Sequence, residues 1–210
     1  MPAVKSRREQ YSETTRAALL QAATALFAQR GFTGTALEDV ASAARVTRGA
    51  VYHHFASKRE LFEAVLEAQE KQATGRILAA ATSSADAWEA ALIGLDAFLD
   101  QCCDPVYTRL CWREGPVALG WRRWKECEEK YAYGLISRFV RALIDAGYIR
   151  QANPDITTRF MFALLGEIGS VLADTPEIDK QQVRDECGAI ARRILNGLAS
   201  HDDLTSPAEG

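Results

Sequence analysis

Histidine is scarce in this 210-residue chain: there are three, and two of them stand side by side at His53 and His54. Methionine occurs twice and proline six times, and the five cysteines (Cys102, Cys103, Cys111, Cys127, Cys187) form no C-x-x-C pair. These shortages exclude whole classes of chemistry. Adjacent histidines point about 100° apart on a helix, whereas a shared metal needs i, i+4 spacing and further ligands nearby, so no metal site is expected. There is no phosphate loop, paired-carboxylate motif or nucleophile-base-acid set, which argues against an enzyme and against a cofactor. No apolar run approaches the roughly 18 residues that cross a bilayer, and MPAVKSRREQ lacks the apolar centre of a secretion signal. A cytoplasmic chain without a membrane partner is therefore expected. Its odd set of cysteines reads as reduced thiols, serving either as small buried apolar groups or as an oxidation sensor.

What is present is an ordinary globular composition, 48% hydrophobic and 25% charged, in a chain long enough for one good core or a small domain feeding a larger one. The net charge of -3 is unevenly spread. Residues 1–60 hold nine Lys and Arg against five acids, so a +4 head precedes a -7 remainder. That sign of asymmetry suggests a small basic module that meets a polyanion, joined to an acidic body that does not.

Helical periodicity dominates, with no strand alternation, so the fold class expected is all-α with about nine helices. A first helix from near Ser12 carries Leu19, Ala23, Leu26 and Phe27 on one stripe and stops at Gly31, with Phe32 beside it. Thr35 and Glu38 read as a capping box opening a second helix to about Ala44, and a third begins at Thr47. Ser57 and Glu60 repeat the box for a fourth that continues past Lys71. SSAD at 83–86 restarts the chain. Asp104-Pro105 and Gly115-Pro116 read as breaks, leaving a short helix from Val106 to Arg113, before a long one from Trp121 to Gly147. Asn153-Pro154 and Thr175-Pro176 each open a helix, the last closing at Gly197. The expected division is a small basic module over 1–60, a helical body over 61–200 and a frayed tail over 201–210.

Two helices joined by so short a turn, the second exposing polar groups, form a helix-turn-helix whose second member lies in the DNA major groove. Val51 and Phe55 share one face at i and i+4 and, with Val40, Val46 and Leu61, supply the inside. Arg48 with Tyr52, and Gly49 with His53, fall on the other side. Arg48 can fork onto a guanine edge or a phosphate, and Gly49 permits close backbone approach. Tyr52 and the histidines offer further donors, with packing at the core edge the blander alternative for His54. Lys58, in the first turn of the fourth helix, opposes the helix dipole, a conflict that a bound anion would relieve.

The run ALFAQRGFTGTALEDVASAARVTRGAVYHHFASKRELFEAV, within Thr14 to Leu66, resembles the DNA-binding domain of the TetR family of bacterial transcription regulators. The Gly31-Phe32 turn, Thr35, the VTRGAVYHHF helix and the S-K-x-x-L-F start of the fourth helix agree in order and spacing. The resemblance implies DNA-contact positions at Thr35, Thr47, Arg48, Gly49, Tyr52, His53, His54 and Lys58. It also implies an all-helical body with an effector cavity, and a homodimer whose last two long helices make a four-helix bundle. Ala163, Gly166, Gly169 and Ser170, with Ile190 and Ile194, are candidates for that interface, or for packing inside one protomer. Repression of a palindromic operator in double-stranded DNA, relieved by a small apolar or aromatic molecule, is the function this implies. Activation, corepression, cysteine-based sensing and a binding protein that keeps the motif only for packing are the alternatives.

Three tryptophans, Trp112, Trp121 and Trp124, fall within 13 residues, flanked by Tyr107 and Tyr131. They could line an apolar effector cavity or plug it. Arg113 and Glu114 could supply its polar anchor or lie exposed.

Overall fold

The computed structural model describes residues 7–150 and 152–199, with side chains from residue 9. The tail expected over 201–210 lies outside them. The described residues are helical, with no strand: α1 (Arg7–Arg30), α2 (Leu37–Ala43), α3 (Arg48–His54), α4 (Lys58–Ala81), α5 (Ala87–Cys103), α6 (Pro105–Tyr107), α7 (Gly115–Leu119), α8 (Trp121–Glu128), α9 (Gly134–Asp145), α10 (Pro154–Asp174) and α11 (Lys180–Leu198). A π-helical stretch, Thr108–Glu114, joins α6 to α7, and another, Glu129–Tyr133, joins α8 to α9. Counted as unbroken rods, these are nine helices among the described residues.

Two compact units result. One contains the described residues up to Lys71 together with Val106–Cys127; the other contains Gln72–Pro105 and the described residues from Glu128 onward. In the first, Leu19, Ala23 and Phe27 of α1, Val40 and Ala41 of α2, Val51 of α3 and Leu61, Phe62, Val65 and Leu66 of α4 are all buried. Phe27, Phe32 and Phe62 form an aromatic trio with ring centroids 5.1–6.0 Å apart. In the second unit, Leu143, Ile149 and Leu195 centre a cluster that includes Trp88, Leu92 and Tyr148. Arg184 and Arg192 of α11 tie onto Asp96 of α5. Gly94 is required there, because a Cβ would stand 2.9 Å from the Phe139 ring.

Local signals set most boundaries. Gly31 ends α1 at φ +74°, its N–H bonding Phe27 O at 2.9 Å. Thr47 caps α3, Asp86 caps α5, and Asn153 caps α10, accepting from Asp155 and Ile156. Ser57 caps α4 through the Glu60 amide, while the Glu60 carboxylate returns to the Ala56 amide.

Five expectations need correction. The first helix is already under way at Arg7, five residues before Ser12. The second starts at Leu37 behind Ala36, whose N–H bonds Asp39; Thr35 and Glu38 do not make the box. Gly115-Pro116 is not a break: Pro116 falls in the first turn of α7, continuous with the π-helical stretch before it, and the chain turns instead at Gly120, φ +78°. The last helix starts at Lys180, four residues past Pro176, and runs through Gly197 to Leu198. Finally, α10 is, at 21 residues, long and apolar enough by composition to cross a bilayer, and only 28% of its apolar stretch is buried.

The turn between α2 and α3 is a Schellman close built without glycine. Arg45 N–H bonds Ser42 O at 3.1 Å, Val46 N–H bonds Ala41 O at 3.0 Å, and Arg45 takes φ +55°. Left-handed backbone costs a residue with a Cβ about 1–2 kcal/mol. Arg45→Gly is therefore expected to raise stability by up to about 1 kcal/mol, and Gly31→Ala to lower it by more than that, because its Cβ would also stand 2.6 Å from a Glu114 oxygen. Thermal melting of the two variants checks the opposite signs.

Candidate nucleic-acid interface

The third helix is held from within and presents its other side outward. Val51 and Phe55 are buried, and the Arg16 guanidinium lies 5.1 Å from the Phe55 ring centroid. Thr47, Arg48, Gly49, Tyr52 and His53 are exposed together, and His54 is half-buried beside them.

On this face Arg48 lies along Tyr52, its guanidinium 5.5 Å from the ring centroid and 3.5 Å from the hydroxyl. Glu38 of α2 pairs with it at 3.1 Å. The Tyr52 hydrogen bond first, and the Glu38 charge second, raise the Arg48 pKa above its usual value. The guanidinium is thus a permanent cation on a short aromatic platform. Because the Glu38 pair is open to water, it is weak and yields readily to a stronger anion. Gly49 is unexplained by the fold, since a Cβ would meet nothing nearer than Thr47 Oγ1 at 3.8 Å. A glycine inside a helix costs about 1 kcal/mol relative to alanine, so closeness to something outside the chain is its better account.

The two histidine rings meet edge to face with centroids 5.1 Å apart. Burial first, then the His53 and Arg16 charges, push the His54 pKa below its usual value. Among the described residues no group of three or more His, Cys, Asp or Glu is placed to hold a metal ion.

Two expected contact residues face inward. Thr35 is 1% exposed, and its hydroxyl donates to Gly31 O at 2.9 Å, bracing the turn after α1. Lys58 Nζ donates to Phe32 O at 2.8 Å and Thr35 O at 3.0 Å, and lies 4.5 Å from the Phe32 ring centroid. The ammonium at the start of α4 is therefore stabilised by the carbonyls of the α1–α2 turn, which removes the need for a bound anion to explain it. Sequence spacing could not reveal this, because the partners lie 23 and 26 residues away.

The aromatic candidates separate. Trp112, Trp121 and Trp124 do come together, with centroids 5.9 Å (Trp112–Trp124) and 4.9 Å (Trp121–Trp124) apart. Trp124 is buried, donates to Cys111 O at 2.7 Å and fills the space a Cβ at Gly115 would need, whereas Trp121 is 68% exposed. Tyr107 is buried and donates to Glu70 at 3.1 Å. Tyr131 belongs to the other compact unit. Trp112 Nε1 is buried with no hydrogen-bond partner.

In the second unit, α10 and α11 expose apolar side chains in helical register. Ile156 and Phe160 (73% exposed) stand on α10 with Val171, and Ile190 (52%), Ile194 and Leu198 on α11. Ala163 is exposed, Gly166 and Ser170 are half-buried, and Gly169 is buried. The large exposed residues Ile156, Phe160, Val171 and Leu198 were not among the interface candidates; Ile156 with Phe160, and Leu198 with Ile194, stand at i, i+4, whereas Val171 has Glu167 and Thr175 at that spacing.

Similarity to known proteins agrees with this arrangement. Residues 19–65 match the family described as "Bacterial regulatory proteins, tetR family", and residues 88–198 match "Tetracyclin repressor-like, C-terminal domain". The transposon Tn10 TetC protein of Escherichia coli is 23% identical over 152 residues, 72% of this chain and 77% of that protein. The HTH-type transcriptional regulator AcrR of Shigella flexneri is 44% identical over 62 residues, 30% of this chain and 29% of AcrR. A TetR-family transcriptional regulator of Pectobacterium atrosepticum has a crystal structure that superposes with TM-score 0.80 at 27% identity, covering 94% of this chain and 99% of that one. Since the two family matches together span more than half of the chain, and its exposed recognition helix fits them, this protein belongs to the TetR family of bacterial DNA-binding transcriptional regulators.

Proposed function

We propose that the protein is a ligand-responsive repressor that binds a palindromic operator as a homodimer and is released by a small, largely apolar or aromatic molecule. The observation that carries the reading is the outer face of α3, where Arg48 lies along Tyr52 beside a glycine that the fold does not require. Thr47, Arg48, Gly49, Tyr52, His53 and His54 form the DNA-reading surface, with Thr35 and Lys58 as supports behind it. Arg48 is the residue able to fork onto a guanine, and the ring and hydroxyl donors address phosphates. The head over residues 1–60 is the DNA-binding module and 61–200 the regulatory body. DNA as the partner places the protein in the cytoplasm.

A palindrome requires two copies, and α10 and α11 offer the surface for the second. Their exposed isoleucines, Phe160, Val171 and Leu198 alternate with small residues such as Ala163, so that two such pairs can close into a four-helix bundle. A helix that is apolar yet mostly unburied in one protomer is accounted for by that partner. Repression is supported by the repressor-like description of residues 88–198. The effector would act among the aromatic residues of the body, where the unpartnered Trp112 indole N–H calls for an acceptor oxygen or nitrogen on the ligand. Cysteine-based sensing is disfavoured, because burial pushes the Cys103 and Cys187 thiols up, away from the reactive thiolate.

Selection of genomic fragments by the purified protein at moderate salt, followed by footprinting, tests the reading. A short palindromic footprint is expected, with Arg48→Ala and Tyr52→Ala each losing about tenfold or more in affinity while remaining folded and dimeric. Fragments retained equally by the variants would contradict it. Phe160→Glu combined with Ile190→Glu is expected to yield a folded monomer in sedimentation equilibrium that no longer binds the palindrome; a persistent dimer would displace the interface from this face.

A further inference from the structure

The peptide of Phe32, at the turn between α1 and α2, is held at both ends by side chains remote in sequence. Its carbonyl accepts from Lys58 at 2.8 Å, and its N–H donates to Glu114 Oε2 at 2.7 Å, across 82 residues. Glu114 ends the π-helical stretch Thr108–Glu114, with Arg109 Nε 3.8 Å from its other oxygen. Its side chain is only 19% exposed. Nothing in this pairing is accommodating: Gly31 must be glycine both for its φ of +74° and because any Cβ would meet Glu114 Oε1 at 2.6 Å. The rod over residues 105–119 is also tied to α4 by Arg59 donating to Leu119 O, and the following helix α8 by Arg123 Nε donating to Glu63 at 2.7 Å. All of these groups lie within one compact unit.

We infer that Glu114 is a positioning residue for DNA recognition: its carboxylate, delivered by the helix over residues 105–119, sets the α1–α2 turn and through it the attitude of α2 and α3. The inference rests on α3 being the DNA-reading helix. A carboxylate-to-amide bond is charge-assisted and short, and in a poorly hydrated site it holds the turn far more firmly than water would. The Phe32 ring packs against Phe27 and Phe62, so tilting its peptide moves the aromatic trio on which α1, α4 and the turn meet. Thr35 and α2 follow directly. The π register is what aims Glu114. Loss of the one-residue widening would turn the side chain by about 100° and withdraw the oxygen from Phe32. A rearrangement within residues 105–119 thus has a defined atom through which to weaken the DNA-reading head, without any change at the DNA-contacting side chains.

The test uses the full-length protein and the genomic fragment it selects best. Wild type, Glu114→Ala, Glu114→Gln and, as control, Arg122→Ala, whose side chain is 94% exposed, are compared in three measurements. These are affinity for the selected fragment against random-sequence DNA at one salt concentration, hydrogen-deuterium exchange over residues 31–36, and thermal melting. Glu114→Ala is expected to lose about tenfold in affinity for the selected fragment, with faster exchange at the turn and little change on random DNA. Glu114→Gln, which keeps an acceptor oxygen, should recover most of that loss, and Arg122→Ala should match wild type. The inference is overturned if Glu114→Ala binds the fragment as wild type does, or loses affinity only in proportion to its unfolded fraction. It is also overturned if Gln and Ala lose affinity equally while turn exchange is unaltered. Failure of the wild type to select any fragment would instead overturn the DNA-reading assignment itself, and this inference with it.

Discussion

A single ammonium group organises the head of this protein. Lys58 begins α4, where the helix dipole is unfavourable to a cation, and it is stabilised there because the carbonyls of Phe32 and Thr35 face it. Those carbonyls follow the last turn of α1, where Gly31 reverses the chain. The lysine therefore joins the start of one long helix to the end of another, and the α1–α2 turn has its shape because both are present. Thr35 completes the arrangement by donating its buried hydroxyl to Gly31 O, and the Phe27, Phe32 and Phe62 rings close over the apolar side. Once the turn is set, α2 and α3 have little freedom, since Val40, Val51 and Phe55 are wholly or almost wholly buried.

Support and reading are thereby separated. Groups that hold the head face inward and bond to backbone; groups free to meet a polyanion face outward on α3, where Glu38 is the one acid paired with Arg48. A weak exposed pair suits that place, because it orients the guanidinium and then gives way. The basic head and acidic remainder seen in the sequence fit this division, with the cations Arg45 and Arg48 near the reading surface and the ion-pair network of Asp96, Asp100, Arg184 and Arg192 inside the second unit. The continuous helix α4, Lys58–Ala81, belongs covalently to both units, passing from the first to the second between Lys71 and Gln72.

What could be read from the sequence was what is encoded within a few residues. Gly31 and Gly147 end helices as their positions suggested, both at positive φ, and Thr47, Ser57, Asp86 and Asn153 cap helices through bonds to amides two or three residues on. The inward and outward faces of α3 followed from i, i+4 spacing. Misreadings came where tertiary structure overrode a local rule. Pro116 looked like a stop, but a π-helical approach leaves it in the first turn of α7. Thr35 and Glu38 had capping-box spacing, yet the threonine was needed under the turn and the glutamate at Arg48, leaving Asp39 to serve Ala36. The pairing of Glu114 with Phe32 had no local signal at all, because it joins residues 82 apart through a helix whose register is itself irregular.

The central claim is that Lys58 is a support and Arg48 a reader, and the salt dependence of binding to operator and to random-sequence DNA separates those roles most directly. Each cation that neutralises a phosphate adds roughly one unit to the slope of log affinity against log salt. Measured on the selected operator, Lys58→Gln is predicted to leave that slope unchanged even if it weakens binding, whereas Arg48→Gln should lose preference for the operator over random-sequence DNA. A fall of about one unit in slope for Lys58→Gln would show its ammonium on a phosphate in the complex, and would contradict its role as a support of the turn.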